Sequence, residues 1–297
     1  MTKDRLIYLP LGGAGEIGMN LYVYGYGPKD KERLIIVDLG VAFPDMDTTP
    51  GVDLIFPDIA WLTDRRNQIE AIFITHAHED HIGALGHLWA KLGAPVYARN
   101  FTSKIAVRKL EENGQNGQIV NVVSSWPDAT KVGPFEVSYI PVSHSIPESS
   151  ALAIDTPKGR LIHSGDFKLD ENPVVGEAFD HKLWQKICSS GVRALICDST
   201  NVFSENEGRS ESEVAPEILK LIEKCSEMVV ATTFASNVAR IKSIAEAGEK
   251  AGRSVCLMGR AMKRMIEVSL DAGVISDFPK LISVEEAKTI PKRNLLL

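Results

Sequence analysis

Four potential metal ligands lie within six consecutive residues of this sequence. The segment Thr75-His-Ala-His-Glu-Asp-His81 carries His76, His78, Asp80 and His81. Imidazole nitrogen and carboxylate oxygen are ligands that suit zinc and related divalent metals. His76 and His78 can converge on one metal from a loop, whereas Asp80 and His81 open the next predicted helix and can bind a second metal. The spacing predicts a two-metal hydrolytic centre; a chance cluster of surface histidines is the alternative.

Two residues farther along the chain complete this set of ligands. His144 and Asp166 each follow a predicted strand. We expect His144 to be the third ligand of the first metal and Asp166 to be a carboxylate that bridges both metals. Asp38, at the end of the predicted strand Leu34–Asp38, is a candidate hydrogen-bond acceptor that orients a ligand imidazole. A plain turn residue is the equally open alternative for Asp38.

The composition indicates a soluble, folded protein. The chain has 297 residues, of which 44% are hydrophobic and 24% charged, enough for one large domain or two modest ones. No apolar run reaches the roughly 18 residues of a membrane helix, and the polar segment Met1–Arg5 does not resemble a signal peptide. The isolated cysteines predict neither a disulfide framework nor a cysteine zinc site: Cys188, Cys197, Cys225 and Cys256. These features predict a cytoplasmic protein without a membrane anchor.

The pattern of elements predicts two domains, at residues 1–205 and 206–297. The first part is rich in short β-prone runs, and one of them, Ala71–Thr75, ends at the histidine cluster. After the polar segment Asn201–Glu213, helices and strands alternate, which favours a parallel sheet. The elements predicted there are helices at Glu213–Lys224, Asn237–Lys250 and Ala261–Leu270 and strands at Met228–Thr233 and Ser254–Met258.

The glycine-rich segment Gly12–Gly18 has two interpretations. It follows a predicted strand and contains a GxGxxG match like that of dinucleotide-binding proteins. The next segment, Met19–Tyr24, is strand-like, whereas the dinucleotide-binding fold needs a helix at this point. We therefore favour a tight turn beside the metal centre.

The distribution of charge bears on nucleic-acid binding. The net charge of −6 argues weakly against a protein that coats nucleic acid non-specifically. The segment Lys250–Ile266 nevertheless contains five basic residues and no acidic one. A solvated helix face and a surface that contacts phosphates are equally compatible with that run.

Taken together, the motifs resemble those of bacterial ribonuclease J, a family with a metallo-β-lactamase fold and a β-CASP domain. The resemblance spans nearly all 297 residues. It implies an α/β (α+β) fold, in which a metallo-β-lactamase αββα sandwich is followed by the first part of an α/β β-CASP domain. The motifs that carry the resemblance are Gly12–Gly18, Gly51–Asp58, His76–Gly83, Ser143–Pro147, Ser164–Lys168, Asp198–Asn201, Phe234–Asn237 and Gly259–Met262.

The resemblance implies two zinc ions, for which Mn²⁺ is a possible substitute, and it implies a role for each candidate residue. The implied metal ligands are His76, His78 and His144 for the first zinc, Asp80 and His81 for the second, and Asp166 as the bridge. The implied catalytic residues are Asp80, Asp166 and Asp198, the last of these assisting proton transfer to the leaving oxygen. The implied RNA contacts are Ser236, Asn237 and Arg260.

The activity that the resemblance implies is metal-dependent hydrolysis of RNA in mRNA decay and rRNA maturation. The substrate would be single-stranded RNA with a 5′-monophosphate, degraded 5′ to 3′, with endonuclease activity in some members. The full-length family form is a possible homodimer, and a dimer is doubtful for this chain. No membrane is implied as a partner.

One departure from the family pattern affects the expected activity. In the family a later segment supplies two further histidines, whereas this sequence has no histidine after His181. We therefore expect the second metal site to be weakened and the activity to be impaired. Two alternatives stay open, namely a small-molecule metallo-hydrolase on the same fold and a non-catalytic fragment that binds metal. The β-CASP-like stretch 203–297 argues against the small-molecule enzyme.

Overall fold

Strands and helices alternate along the chain in the computed structural model, which describes residues 4–45, 47–206 and 208–297. Met1–Lys3, which belong to the segment that argues against a signal peptide, lie outside the described residues. The chain divides into two units, and the predicted domain limits of 1–205 and 206–297 stay a prediction. Unit 1 comprises Met1–Pro141, Ser149–Phe167 and His181–Val202, and unit 2 comprises Val142–Glu148, Lys168–Asp180 and Phe203–Leu297.

A six-stranded sheet forms the first half of unit 1. The first three strands pair antiparallel and the remaining pairs are parallel, in the order β1-β2-β3-β4-β5-β6. The central strands are nearly continuous apolar runs, as expected where both faces of a sheet are covered. The strands are β1 (Arg5–Gly12), β2 (Leu21–Gly27), β3 (Arg33–Val37), β4 (Ile69–Phe73), β5 (Val96–Ala98) and β6 (Val120–Val122).

A second sheet of five strands packs face to face on the first. Its order is β11-β10-β9-β8-β7, antiparallel except for the parallel pair of β10 and β11. Large buried side chains from both sheets form one core, among them Tyr24, Phe73, Phe135 and Tyr139. The strands are β7 (Thr130–Val132), β8 (Phe135–Pro141), β9 (Ser150–Thr156), β10 (Gly159–His163) and β11 (Ala194–Ile196). The predicted mixed α/β class is confirmed.

Among the described residues of unit 1, five helices and two short 3₁₀ turns complete the fold. One predicted helix, Ile82–Leu92, is in fact two helices, because the Ala84 N–H donates to the carbonyl of Leu39 and so leaves the helical ladder. The helices are α1 (Ala60–Thr63), α2 (Glu79–Ile82), α3 (Leu85–Leu92), α4 (Asn100–Glu112) and α5 (His181–Cys188), and the 3₁₀ turns are Arg66–Gln68 and Gly117–Ile119. Across the described parts of both units, each helix is too short or too polar to cross a bilayer.

Unit 2 is built from helices around a small parallel sheet. Val255 of β12 and Leu296 of β13 lie in a core with Ile222 and Ala245 from two of the helices. The elements are α6 (Glu211–Glu223), α7 (Val238–Lys250), β12 (Ser254–Val255), α8 (Arg260–Asp271), α9 (Val284–Ala287), a 3₁₀ turn (Lys292–Asn294) and β13 (Leu295–Leu296). The alternation therefore yields the parallel pairing expected from the sequence.

Three predicted elements of unit 2 are wrong in extent, and one of them is the strand Ser254–Met258, of which only Ser254–Val255 is a strand. The predicted strand Met228–Thr233 contains only an isolated parallel bridge from Val229 to Leu296, and Val230 is exposed, so the apolar run does not form a full ladder. The helix predicted to begin at Glu213 begins at Glu211, because the Ser210 side chain caps it by accepting the N–H of Ser212.

The basic run Lys250–Ile266 does not form one uniform charged surface. Arg253 is buried and its guanidinium donates to four backbone carbonyls, which include those of Glu227 (2.7 Å) and Leu295 (3.2 Å). Arg260, at the start of α8, is exposed. One of the five basic residues therefore stabilises the unit internally, so the run as a whole is not a phosphate-binding surface.

Candidate metal centre

The histidine cluster lies at the carboxyl end of β4, where the chain passes into α2. Thr75 and His76 are buried, and the Thr75 hydroxyl lies 3.0 Å from His76 Nδ1. His76 Nε2 is 3.1 Å from His78 Nδ1. His78 is the residue just before α2, so the two imidazoles meet on the loop as the spacing indicates.

The short helix α2 is held by the loop that follows β3. Leu39 N–H donates to the His81 carbonyl (2.7 Å) and Val41 N–H donates to the Glu79 carbonyl (3.1 Å). Between them, a Cβ at Gly40 would overlap the carbonyl oxygen of Asp80. This close approach requires glycine, and it fixes the helix that carries Asp80 and His81.

Asp38 connects this loop to the imidazole of His81. Its carboxylate accepts the N–H of Thr75 (2.7 Å) and the hydroxyl of Thr75 (2.8 Å), and Oδ2 lies 2.7 Å from His81 Nδ1. The residue is fully buried and has a φ of +62°, a region that aspartate tolerates better than most residues. A proton on Nδ1 facing Asp38 directs His81 Nε2 toward a metal.

Asp166 reaches the same place from β10. Ser164 N–H donates to the Ile196 carbonyl (2.9 Å), and Gly165, with a φ of +56°, turns the chain beside Thr75. Asp166 Oδ1 then lies 3.2 Å from His81 Nε2. The sequence predicts that Asp166 follows a strand, and the turn at Gly165 brings the Asp166 side chain to α2.

Two sets of ligand atoms in unit 1 share Asp166. One atom each from Asp80, His81 and Asp166 lie within 4.8 Å of one another, and the same holds for His76, His78 and Asp166. Borderline and hard donors of this kind suit zinc or manganese. The fold therefore brings together, in unit 1, five of the six side chains that the sequence suggests as metal ligands.

The electrostatics of this centre favour a bound cation. Burial raises the pKa of the Asp80 carboxyl, and the nearby Asp166 carboxylate raises it further against the opposing effect of His81. Burial alone would lower the pKa of His81, but Asp38 and Asp166 outweigh it and raise that pKa well above its ordinary value. Without metal the imidazole thus carries the positive charge that the carboxylates require, and a divalent cation can take that place.

The remaining predicted residues lie on other segments. His144 is half-buried in the segment Val142–Glu148 of unit 2, and its role as a metal ligand stays a prediction. Asp198, in unit 1, donates its N–H to the Ser164 hydroxyl (2.9 Å) and accepts the N–H of Thr200 (2.8 Å). Its catalytic role is likewise a prediction.

The three predicted RNA contacts belong to unit 2. Asn237 caps α7, because its side-chain oxygen accepts the N–H of Arg240 (2.9 Å). Ser236 is half-buried and Arg260 is exposed. Asn237 thus has a structural role, and RNA binding by all three stays a prediction.

Sequence reasoning missed Asn20, which lies against α2. Its side-chain nitrogen is 3.1 Å from the Asp80 carbonyl and 3.0 Å from His81 Nε2, and its oxygen accepts the Tyr22 hydroxyl (2.8 Å). The signal was the segment Gly12–Gly18, which we interpreted as a tight turn near the centre. A Cβ at Gly13 (φ +80°) would overlap both Asn20 Oδ1 and the Tyr22 hydroxyl, so the turn makes room for this pair.

A second missed residue is His163, in the last position of β10. It is 3% exposed, its Nδ1 lies 2.9 Å from the Tyr24 hydroxyl, and its ring packs on Tyr22. Burial lowers the pKa of His163 to about 4. The folded protein therefore keeps this imidazole neutral at pH values where the unfolded chain protonates it.

Acid should consequently destabilise unit 1 through His163. As the pH falls from about 6.5 to about 4, only the unfolded state gains the proton, so we expect this residue to remove about 3 kcal/mol of unfolding free energy. Urea titrations at several pH values, followed by tryptophan fluorescence, measure this loss, because all four tryptophans lie in unit 1.

The comparison for that experiment is His163→Asn, which retains a polar partner for Tyr24 and cannot titrate. Its unfolding free energy should depend less on pH than that of the wild type. The control variant His87→Asn, at an exposed position, should show the same dependence of unfolding free energy on pH as the wild type. Parallel pH curves for wild type and His163→Asn would contradict the expectation.

Comparisons with known proteins agree with this geometry. The family model described as the metallo-beta-lactamase superfamily matches residues 20–189. The model described as ribonuclease J, beta-CASP domain, matches residues 226–297. A crystal structure of a protein of unknown function from Enterococcus faecalis is similar, with a TM-score of 0.65 and 20% identity. The match covers 98% of this chain and 77% of that protein's chain, and it supports the fold alone.

Curated relatives named ribonuclease J are similar along the whole chain. The protein of Sinorhizobium meliloti is 44% identical over 298 residues, covering 100% of this chain and 53% of that protein. The protein of Thermus thermophilus is 35% identical over 302 residues, covering 99% of this chain and 52% of that protein. The chain thus spans about half the length of these relatives, and the resemblance inferred from the motifs is confirmed.

Proposed function

We propose, from the premise that this chain belongs to the metallo-β-lactamase superfamily, that it forms the hydrolytic part of a ribonuclease J-like RNA hydrolase. The observation that carries the proposal is the pair of ligand sets that share Asp166 at the carboxyl ends of β4 and β10. Supporting it is the whole-chain similarity to relatives named ribonuclease J. We infer a cytoplasmic location from the isolated cysteines of the sequence.

The proposed centre takes two zinc ions, with manganese as a possible substitute. We propose His76, His78 and His144 as ligands of the first, Asp80 and His81 as ligands of the second, and Asp166 as the bridge. Bound there, the metals would supply a water nucleophile at neutral pH and positive charge for the phosphate.

The protein's own residues orient this chemistry. Asp38 holds His81 through Nδ1, so Nε2 faces the site. The Asp80 and Asp166 carboxylates would hold the metal cations, whose positive charge would stabilise the phosphate that is attacked. We propose that Asp198 assists proton transfer to the leaving oxygen, since its segment follows β11 and bonds to Ser164, two residues before Asp166.

The proposed substrate is single-stranded RNA with a 5′-monophosphate, degraded from that end. Ser236, Asn237 and Arg260 are the proposed contacts to it, and Arg260 offers an exposed positive charge for a phosphate. A homodimer is proposed only for the longer form that the relatives represent.

The test combines metal content with an RNA assay on one dialysed sample. We expect the wild-type chain to release mononucleotides from 5′-monophosphorylated RNA when zinc or manganese is present, and chelation to abolish the release. The matched substrate is the same RNA with a 5′-hydroxyl, which should be degraded more slowly.

Two results would overturn the proposal. Turnover of a chromogenic ester or lactam without RNA cleavage would identify a small-molecule hydrolase on the same fold. Failure to cleave RNA even when the remaining half of a full-length relative is supplied in trans would identify a non-catalytic fragment that binds metal.

A further inference from the structure

The segment between the glycine turn and β2 contacts the proposed second metal site at several points. Asn20 N–H donates to the Asp80 carbonyl (2.9 Å), and its own carbonyl accepts the N–H of Gly40 (3.0 Å). The Asn20 backbone therefore joins α2 to the loop after β3. Its side chain is 8% exposed and faces the same two residues of α2 that offer metal ligands.

The side-chain amide of Asn20 lies against three polar groups of α2. Nδ2 lies 3.1 Å from the Asp80 carbonyl, 3.4 Å from Asp80 Oδ2 and 3.0 Å from His81 Nε2. A metal bound at Nε2 would replace the contact of that nitrogen with the amide, whereas the contacts of the amide with Asp80 would remain. Asp80 and His81 are also the residues whose carboxylate and imidazole would hold a metal together with Asp166.

The orientation of the amide is fixed from behind by Tyr22. The Tyr22 hydroxyl donates to Asn20 Oδ1 at 2.8 Å, which leaves only the nitrogen to face Asp80 and His81. Burial above all, and then the nearby Asp38 carboxylate, raises the pKa of Tyr22, so the hydroxyl keeps the proton it donates. Gly13 leaves the space that this pair occupies. Burying a side-chain amide costs free energy of folding unless both its oxygen and its nitrogen are hydrogen-bonded, as they are here.

We infer that Asn20, oriented by Tyr22, is a positioning residue that arranges Asp80 and His81 to bind the second metal. The inference rests on the proposed metal centre and adds to it a pair of residues that do not themselves bind the metal. Groups that orient metal ligands typically change metal affinity by about 10- to 100-fold when they are removed. The effect should be confined to the site that contains Asp80 and His81, because Asn20 contacts no other candidate ligand among its described partners.

The experiment measures two zinc dissociation constants of the full chain by titration against a competing chelator. Asp80→Ala should abolish zinc binding at the second site, so the dissociation constant that is lost in this variant belongs to that site. We expect Asn20→Ala to weaken that site about tenfold and to leave the first constant unchanged. Tyr22→Phe should weaken the same site by a smaller factor, because it removes only the hydroxyl that orients the amide.

Tyr24→Phe is the matched control for Tyr22→Phe. It removes a buried hydroxyl from the same strand, but that hydroxyl bonds to His163 and not to Asn20. Its second-site constant should equal the wild-type value, and tryptophan fluorescence reports whether each variant folds. Both zinc affinities are measured in the same folded chain. A general loss of structure would therefore lower both affinities, and not that of the second site alone.

Three results would overturn the assignment. Unchanged second-site affinity in both Asn20→Ala and Tyr22→Phe would show that the amide does not position the ligands. Equal losses in Tyr22→Phe and Tyr24→Phe would point to general weakening of β2. A wild-type chain that binds no zinc at Asp80 and His81 would overturn both this assignment and the proposed two-metal centre, whereas the first two results leave that centre intact.

Discussion

Replacing Asp166 with alanine is expected to weaken zinc binding at both sites and to lower RNA hydrolysis by about a thousandfold or more. The reason is that this one carboxylate belongs to both ligand sets, and a bound metal contributes several kcal/mol to a hydrolytic transition state. Mass spectrometry of the dialysed variant gives the metal content. Mononucleotide release, measured with and without added zinc, gives the activity.

His76→Ala is the informative comparison, because His76 belongs to one ligand set only. It should weaken the first site and leave the binding of zinc by Asp80, His81 and Asp166 measurable. Asp166→Asn retains the shape of the side chain without its charge and should resemble Asp166→Ala. Unchanged zinc affinity at either site of Asp166→Ala, or full RNA hydrolysis by that variant, would contradict a shared bridging carboxylate.

The main features of unit 1 follow from local sequence patterns. Apolar runs that end in polar ligands predict strands with functional residues at their carboxyl ends, and β4 and β10 are strands of that kind. The short spacing of His76, His78 and His81 limits where their side chains can go. For this reason the fold class and the family resemblance could be obtained from the sequence.

The residues that support the ligands could not be predicted in the same way. Asn20 and Asp80 are 60 positions apart, and their contact depends on how the loop after β3 lies against α2. Asparagine is an uncommon zinc ligand, so its residue type gave no signal. The burial of His163 depends similarly on the packing of two sheets.

The weaker predictions in unit 2 have a related cause. The run Met228–Thr233 has the composition of a strand, yet its pairing is limited to the bridge from Val229 to Leu296 and to backbone hydrogen bonds of Val229 and Ala231 with Leu295 and Leu297. The basic run around Arg253 likewise hides an internal role, because the guanidinium donates to carbonyls from three separate segments. Composition reports the type of side chain, whereas exposure is set by tertiary packing.

Asp38→Ala is expected to lower the free energy of unfolding of unit 1 by about 3–5 kcal/mol. The substitution leaves the N–H of Thr75 and Nδ1 of His81 buried without their acceptor. It also places alanine at a φ of +62°, where a Cβ is strained. Urea unfolding followed by tryptophan fluorescence measures the change, since all four tryptophans lie in unit 1.

The matched variants separate the causes of that loss. Asp38→Asn retains an acceptor oxygen and tolerates the same backbone conformation, so it should cost less than Asp38→Ala. Asp155→Ala removes a carboxylate from a partly exposed ion pair with Arg160 and should cost no more than about 1 kcal/mol. If Asp38→Ala cost no more than Asp155→Ala, Asp38 would be a plain turn residue. A large loss in Asp38→Ala with weakened zinc binding would instead identify Asp38 as the group that orients His81.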